Sequence, residues 1–436
     1  MIPALGIIFG LGILIFIHEL GHFIAAKSMG ILVEEFSLGF GPAIVKFKIK
    51  ETEYKIAAIP VGGYIKMKGE DPDSELTGSK DEFLSRKTHE KIIVALAGPL
   101  ANIILAAAIY PVIFMGIGEK EAVLTPYAQI AGTIEGSAAE SAGIIRKDII
   151  EKINETEIRS PSDITPIVSG SAGNTLFLTV RRGDEVLKIA VRPNKREKYD
   201  YIYYELGVYF KIDPVIGPLP KKSNAYRAGL REGDIIVKSG GREVFSFTDI
   251  FEDIVDGSAL LLTVKRSGEL LDITVPPVLT SGFNEEGKIR KAFRYDLTSE
   301  YRIVKSGFGE GISRSLNALG SDFLLIYNSL RIIIKHPKEA RHLGGFITIG
   351  YILSKSIREG IAEYLAWIGM ISVNLAVVNM LPLIITDGGL ILMFMFEFLT
   401  RRKMKKKERA VLQYTGFALL LLLFLFIMKN DIMRYL

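Results

Sequence analysis

The 436-residue chain contains no cysteine, one tryptophan and five histidines. Without thiols, disulfide staples, zinc ribbons and thiol nucleophiles are excluded, and a bound metal must be held by histidine, carboxylate or water. Strong charge of either sign is lacking too: 54 basic residues stand against 49 acidic ones, and the net +5 is dispersed. Such a balance gives no case for nucleic-acid binding. The amino terminus has no basic residue before Lys27 and no small-residue cleavage site, so it reads as a retained spanning helix, not a signal peptide.

What is present is mostly apolar. Hydrophobic residues make up 49% of the chain and mean hydropathy is +0.28, yet 24% of residues are charged. That mixture predicts a membrane protein with a large water-exposed part. Apolar runs at about 2–26, 92–116, 361–400 and 411–428 supply four spans, since roughly 20 residues cross the hydrocarbon core. The third is too long for one crossing and is interrupted at Asn379-Met-Leu-Pro382 and Thr386-Asp387-Gly388-Gly389. Basic residues crowd 27–91 and 401–409, so the positive-inside rule puts both in the cytoplasm and the 117–360 region outside.

The first span carries His18-Glu19-Leu20-Gly21-His22. An ionisable side chain at bilayer depth costs roughly 2.5–3.5 kcal/mol, which makes it a functional candidate by default. Histidines four apart share one helical face and can reach one metal, with the adjacent glutamate placed to activate water. Asp387, at the break in the third span, is a second intramembrane ionisable group. A carboxylate is the chemical type that completes a two-histidine zinc site, and the topology puts all three in the cytoplasmic half of the membrane. Asn102, within Ala97-Gly-Pro-Leu-Ala-Asn102 of the second span, is a buried amide, read first as a cross-helix hydrogen-bonding group. His89, His336 and His342 lie in polar or junctional stretches and read as solvated or structural.

Between the spans, 28–91 reads as a strand meander and polar loop, punctuated by Gly39-Phe-Gly-Pro42 and Pro60-Val-Gly62-Gly63. Residues 121–277 hold an internal repeat: Ser137-Ala-Ala-Glu-Ser-Ala-Gly143 through Asp148 aligns on Ser223-Asn-Ala-Tyr-Arg-Ala-Gly229 through Asp234. This signature resembles PDZ domains of the bacterial permuted type, which implies a groove able to take an extended peptide end. Leu206-Gly-Val208 resembles the carboxylate-binding loop and reads as part of the second copy; a bulky gate is the competing role for the pair. The expected order is span 1–27, cytoplasmic β-loop 28–91, span 92–116, PDZ-like domains 117–196 and 197–280, a linker 281–360 with an amphipathic helix at 311–335, broken span 361–400, basic loop 401–410, span 411–428 and tail 429–436.

In this order the motifs resemble the site-2 protease family, in its bacterial regulator-of-sigma-E branch. The resemblance implies a polytopic α-helical zinc metalloprotease of the bacterial inner membrane. Its substrates would be transmembrane segments of single-pass proteins, such as anti-sigma factors or remnant signal peptides. It implies His18, His22 and Asp387 as zinc ligands and Glu19 as general base. Asn379 and Pro382, with Gly62 and Gly63 of a membrane-associated β-loop, would handle substrate. Its partners would be the lipid bilayer, single-pass substrates and possible peptide ligands of the PDZ-like pair, with no nucleic acid. Ile384, Thr386, Leu390 and Phe346 depart from the family's usual residues. The rival readings are a membrane-anchored PDZ scaffold or chaperone without activity, and a metal or proton transporter.

Overall fold

The computed structural model of the chain describes residues 2–71, 76–123, 127–198, 201–251, 257–283, 289–383, 386–402 and 404–435. The chain forms two compact units, one of Met1–Glu119 with Lys305–Leu436 and one of Lys120–Val304.

Among its described residues the first unit has helices and one long hairpin as its regular structure. Its helices are α1 (Ile2–Ser28), α2 (Thr88–Pro111), α3 (Phe308–Lys335), α4 (Phe346–Glu359), α5 (Ile361–Asn379), α6 (Asp387–Thr400) and α7 (Lys406–Tyr435). Among the described residues, four segments are long and apolar enough to cross a membrane: Gly6–Ser28, Thr88–Ile117, Ile361–Asn379 and Ala410–Met433. Close helix approach depends on small residues. A side chain at Gly21 of α1 would lie 2.3 Å from the Ala97 carbonyl of α2, and one at Gly10 would lie 2.7 Å from the Tyr364 hydroxyl of α5. The resulting core is built from Leu14, Ala106, Tyr110, Leu353, Tyr364 and Ile368.

The amphipathic α3 appears as expected, with three more residues at its start. The second amphipathic helix, α4, has no counterpart in the expected order; Gly360, at φ +144°, separates it from α5. The anticipated interruption of the third span is real. α5 ends at Asn379 and α6 starts at Asp387, and the Thr386 hydroxyl donates to the Leu381 and Leu383 carbonyls at 2.7 and 2.6 Å. Thr386 thereby satisfies acceptors that the break releases, a role an apolar side chain could not fill. Ile384 lies outside the described residues.

The hairpin consists of β1 (Val33–Ile49) and β2 (Thr52–Met67), and it curls back on itself. Residues Glu35–Leu38 pair on one side with Glu53–Ile56 and on the other with Gly63–Lys66, through several bulges. The Gly63–Lys66 segment therefore lies on the far side of Glu35–Leu38 from the rest of β2.

Among its described residues the second unit holds a six-stranded and a four-stranded sheet, each with its own apolar core, and smaller two-stranded pairs. The repeat signature is explained by local chemistry. Ser137 and Ser223 each cap a short helix by accepting the amide of Glu140 or Tyr226. Buried Asp148 and Asp234 each take a bidentate arginine, Arg182 or Arg266, which also donates to the Gly143 or Gly229 carbonyl at 2.7 Å. Arg146 pairs with Asp249 at 2.5 Å and joins the two copies.

One expectation is corrected here. Leu206-Gly-Val208 does not serve the second copy: Leu206 is in the first core, and Val208–Phe210 is the edge strand beside Ala128–Thr133. The first sheet thus takes its closing strand from beyond residue 196, and the second core reaches Tyr295. The expected limit at 196/197 falls inside the first sheet region, because its edge strand follows the repeat signature, and the limit at 280 falls short of Tyr295 although the second sheet itself ends at Val275.

Candidate metal centre

His18 and His22 sit one helical turn apart on α1, each 8% exposed, with ring centroids 4.8 Å apart. The α2 segment following Lys91 shapes their surroundings. His22 Nδ1 lies 2.8 Å from the Val94 carbonyl, so this nitrogen carries the proton and Nε2 presents a lone pair. Gly98 makes room for the ring, since a Cβ there would fall 2.2 Å from His22 Nε2. Asn102, completely buried, brings its Nδ2 to 3.2 Å from His18 Nδ1.

Asp387, the first residue of α6, closes the site. Its Oδ2 lies 3.3 Å from His18 Nε2, its Oδ1 lies 3.4 Å from His22 Nε2, and the two Nε2 atoms are 3.3 Å apart. Zinc–ligand distances of about 2.0–2.1 Å put neighbouring atoms of a tetrahedron about 3.3–3.4 Å apart. Each imidazole nitrogen is thus at zinc-ligand spacing from the other and from one of the two Asp387 oxygens, and one ligand atom from each of the three residues lies within 4.8 Å of the others. Its electrostatics agree, because Asp387 Oδ2 is buried without a hydrogen bond and converges with imidazole lone pairs, an arrangement that a cation stabilises. His18, His22 and Asp387 form the group of possible metal-holding side chains found among the described residues.

The helix carrying Asp387 is anchored by Glu397, whose carboxylate lies 3.4 Å from Lys91 Nζ of α2. Both side chains are buried, and the ammonium stands 4.5 Å from the centroid of the Phe394 ring. This pairing fixes α6 against the helix that orients the histidines.

A cavity of about 410 Å³ opens on these three side chains and is lined by Ile15, Glu19, Gly62, Gly63, Glu70 and Asn379, among others. Gly63 lets the hairpin approach α1: a Cβ there would lie 2.9 Å from Ile15 Cγ2 and 3.1 Å from Glu19 Cγ. Gly62 has φ +94°, and a Cβ on it would strike the Phe40 ring at 2.3 Å. The amide of Asn379, at the end of α5, is 3.1 Å from His18 Nε2. Pro382 is exposed and is not among the lining residues, so the structure sets it apart from the other expected substrate residues. Leu390 does line the cavity, whereas Phe346 lies at the start of α4.

Sequence reasoning missed Val94, Gly98 and Glu70. Val94 contributes only a carbonyl, for which no residue pattern exists, whereas the small residues of 97–101 did signal close packing. Glu70 accepts the Met67 amide at 3.0 Å, and burial pushes its carboxyl up from the usual range. Nothing in the polar stretch after the hairpin distinguishes it from its neighbours.

Residues 6–423 match peptidase family M50. The chain is 29% identical to the regulator of sigma E protease of Haemophilus influenzae over 451 residues, covering 98% of each chain. It is 29% identical over 458 residues to the regulator of sigma-E protease RseP of Salmonella typhimurium, covering 98% of this chain and 97% of that one. Zinc metalloprotease RasP of Geobacillus kaustophilus is 28% identical over 431 residues, with 97% and 96% covered.

Proposed function

The chain belongs to peptidase family M50, a zinc metalloendopeptidase of the membrane, and on that premise we propose that His18, His22 and Asp387 hold its zinc and Glu19 is its general base. The observation that carries this reading is the convergence of two Nε2 atoms 3.3 Å apart on the Asp387 carboxylate, whose Oδ2 and Oδ1 lie 3.3 and 3.4 Å from them, beside a cavity that Glu19 also lines.

Zinc, when bound there, supplies Lewis acidity that polarises a carbonyl and acidifies water. The chain's own residues do the rest. Glu19 takes a proton from the attacking water as oxygen bonds to the scissile carbon, then passes it to the departing amide nitrogen as the C–N bond breaks. The Asn379 amide offers an N–H to a substrate carbonyl at the cavity wall. A helix hides its carbonyls in internal hydrogen bonds, so a spanning substrate must be locally extended first. The Gly63–Lys66 segment borders the cavity and suits strand addition, with Gly62 shaping the turn that delivers it. Exposed Ile44, Val45, Phe47 and Ile49 give the hairpin an apolar surface suited to the bilayer. Pro382 acts by holding the break open, since it lacks a backbone donor.

Substrates are single-pass membrane proteins of the anti-sigma-factor type, cut in the bilayer of the bacterial inner membrane. Basic residues at 27–91 and 401–409 support a cytoplasmic position for that end of the site. The second unit is then outside as a tandem PDZ-like pair, with its two cores joined by the Arg146–Asp249 bridge. The deciding experiment compares the wild-type chain with Glu19→Gln, for zinc content and for cleavage of a membrane-embedded reporter. The variant is expected to keep zinc while cleavage falls by about 10²–10⁴-fold. Cleavage at the wild-type rate would remove Glu19 from the mechanism.

A further inference from the structure

Asn102 lies on α2, has no exposed surface, and faces the nitrogen of His18 other than the one beside Asp387. We infer that Asn102 is a positioning residue that fixes the tautomer and tilt of His18 by accepting a hydrogen bond from its Nδ1–H. The inference rests on the ligand set proposed above.

If His18 Nε2 gives its lone pair to zinc, the proton of the neutral ring must sit on Nδ1, which becomes a donor. With Asn102 Nδ2 at 3.2 Å, two donors would face each other, while Asn102 Oδ1 is buried with no hydrogen-bond partner. The two ends of an amide are nearly equal in size, and a half-turn about its terminal torsion puts the oxygen opposite Nδ1–H. That turn removes the donor–donor conflict and gives the orphaned oxygen its partner. The Asn102 backbone is itself held, since its carbonyl accepts from the buried Ser372 hydroxyl of α5 at 2.8 Å. His22 has the matching support in the Val94 carbonyl, so α2 orients both imidazoles. Outer partners of this kind change metal affinity by about 10–100-fold when removed.

The test is zinc release from the purified full-length chain into a chelator, with melting temperature followed in parallel. Asn102→Leu keeps the size but loses the acceptor and should release zinc about 10–100-fold faster. Asn102→Asp keeps an acceptor at the same place and should release zinc no faster than wild type. Release from Asn102→Leu at the wild-type rate would overturn the inference, as would an equally fast release from Asn102→Asp. The Asp variant remains decisive if the Leu variant fails to fold. A wild-type chain that binds no zinc would instead overturn the ligand set, and this role with it.

Discussion

Replacing Gly98 by alanine sets two effects against each other. In a helix interior alanine is about 0.8–1.0 kcal/mol more favourable than glycine, so α2 by itself should gain. The added methyl carbon, however, would lie 2.2 Å from His22 Nε2, 2.6 Å from Cε1 and 2.7 Å from Cδ2, whereas ordinary contact begins near 3.4 Å. The ring must retreat by about 1.2 Å, the difference between 3.4 and 2.2 Å. Metal–ligand distances tolerate only about 0.2 Å, so a shift of this size removes His22 from the proposed ligand set or turns it away from the Val94 carbonyl. A displacement of about 1 Å also costs about 10²-fold in rate where reacting groups must align. The expected outcome is a folded helical chain with little zinc and at least a 10²-fold loss of reporter cleavage, measured by elemental analysis, circular dichroism melting and gel-based proteolysis. Gly12→Ala is the control, because a Cβ there meets nothing within 4 Å; it should keep both zinc and activity. Stoichiometric zinc with undiminished cleavage in Gly98→Ala would refute the steric argument and, with it, the position assigned to His22.

The other predictions concern parts that support the site. Glu82 is held down to about 2, below the ordinary 4.5, first by the Thr77 hydroxyl, then by the Ser85 hydroxyl and the Thr77 and Gly78 amides. A depressed carboxyl stabilises the loop fully above pH 4.5 and loses that contribution as pH falls toward 2. Pepsin cleavage around 76–85 should therefore rise over this window in the wild type and lose that dependence in Glu82→Gln; a wild-type profile flat in pH would contradict it. On α7, buried Asp431 accepts the amides of Gly345, Ile347 and Thr348 and the Thr348 hydroxyl, capping the start of α4 from another helix. Asp431→Ala should cost about 2 kcal/mol, by analogy with lost caps and charge-assisted bonds. It should lower the melting temperature and expose the last helix to protease, and unchanged protection would reject the anchor.

Much of the site is legible because its chemistry is local. A helix brings residues four apart onto one face, so His18 and His22 can be paired from spacing alone. Apolar context then makes these histidines, Glu19 and Asp387 conspicuous, and proline with glycine marks the interruption between α5 and α6. The repeat could be read for the same reason. Its serine, aspartate and glycine positions are capping and turn chemistry completed within a few residues, whereas Arg182 and Arg266 reach the aspartates from 34 and 32 residues further along the chain.

Tertiary structure alone decided which groups meet. The closing of Asp387 on two histidines from the other end of the chain depends on packing between α1, α2 and α6, fixed partly by the Lys91–Glu397 pair. A carbonyl such as that of Val94 exists at every residue, so only the distance of 2.8 Å to His22 singles it out. Leu206–Phe210 shows the same limit in the second unit, because a strand's composition says that it pairs but not which sheet it completes. Sequence determined the faces and the chemical types on them, since these follow from backbone periodicity. The partners of those faces were set by three-dimensional packing, which no local period encodes.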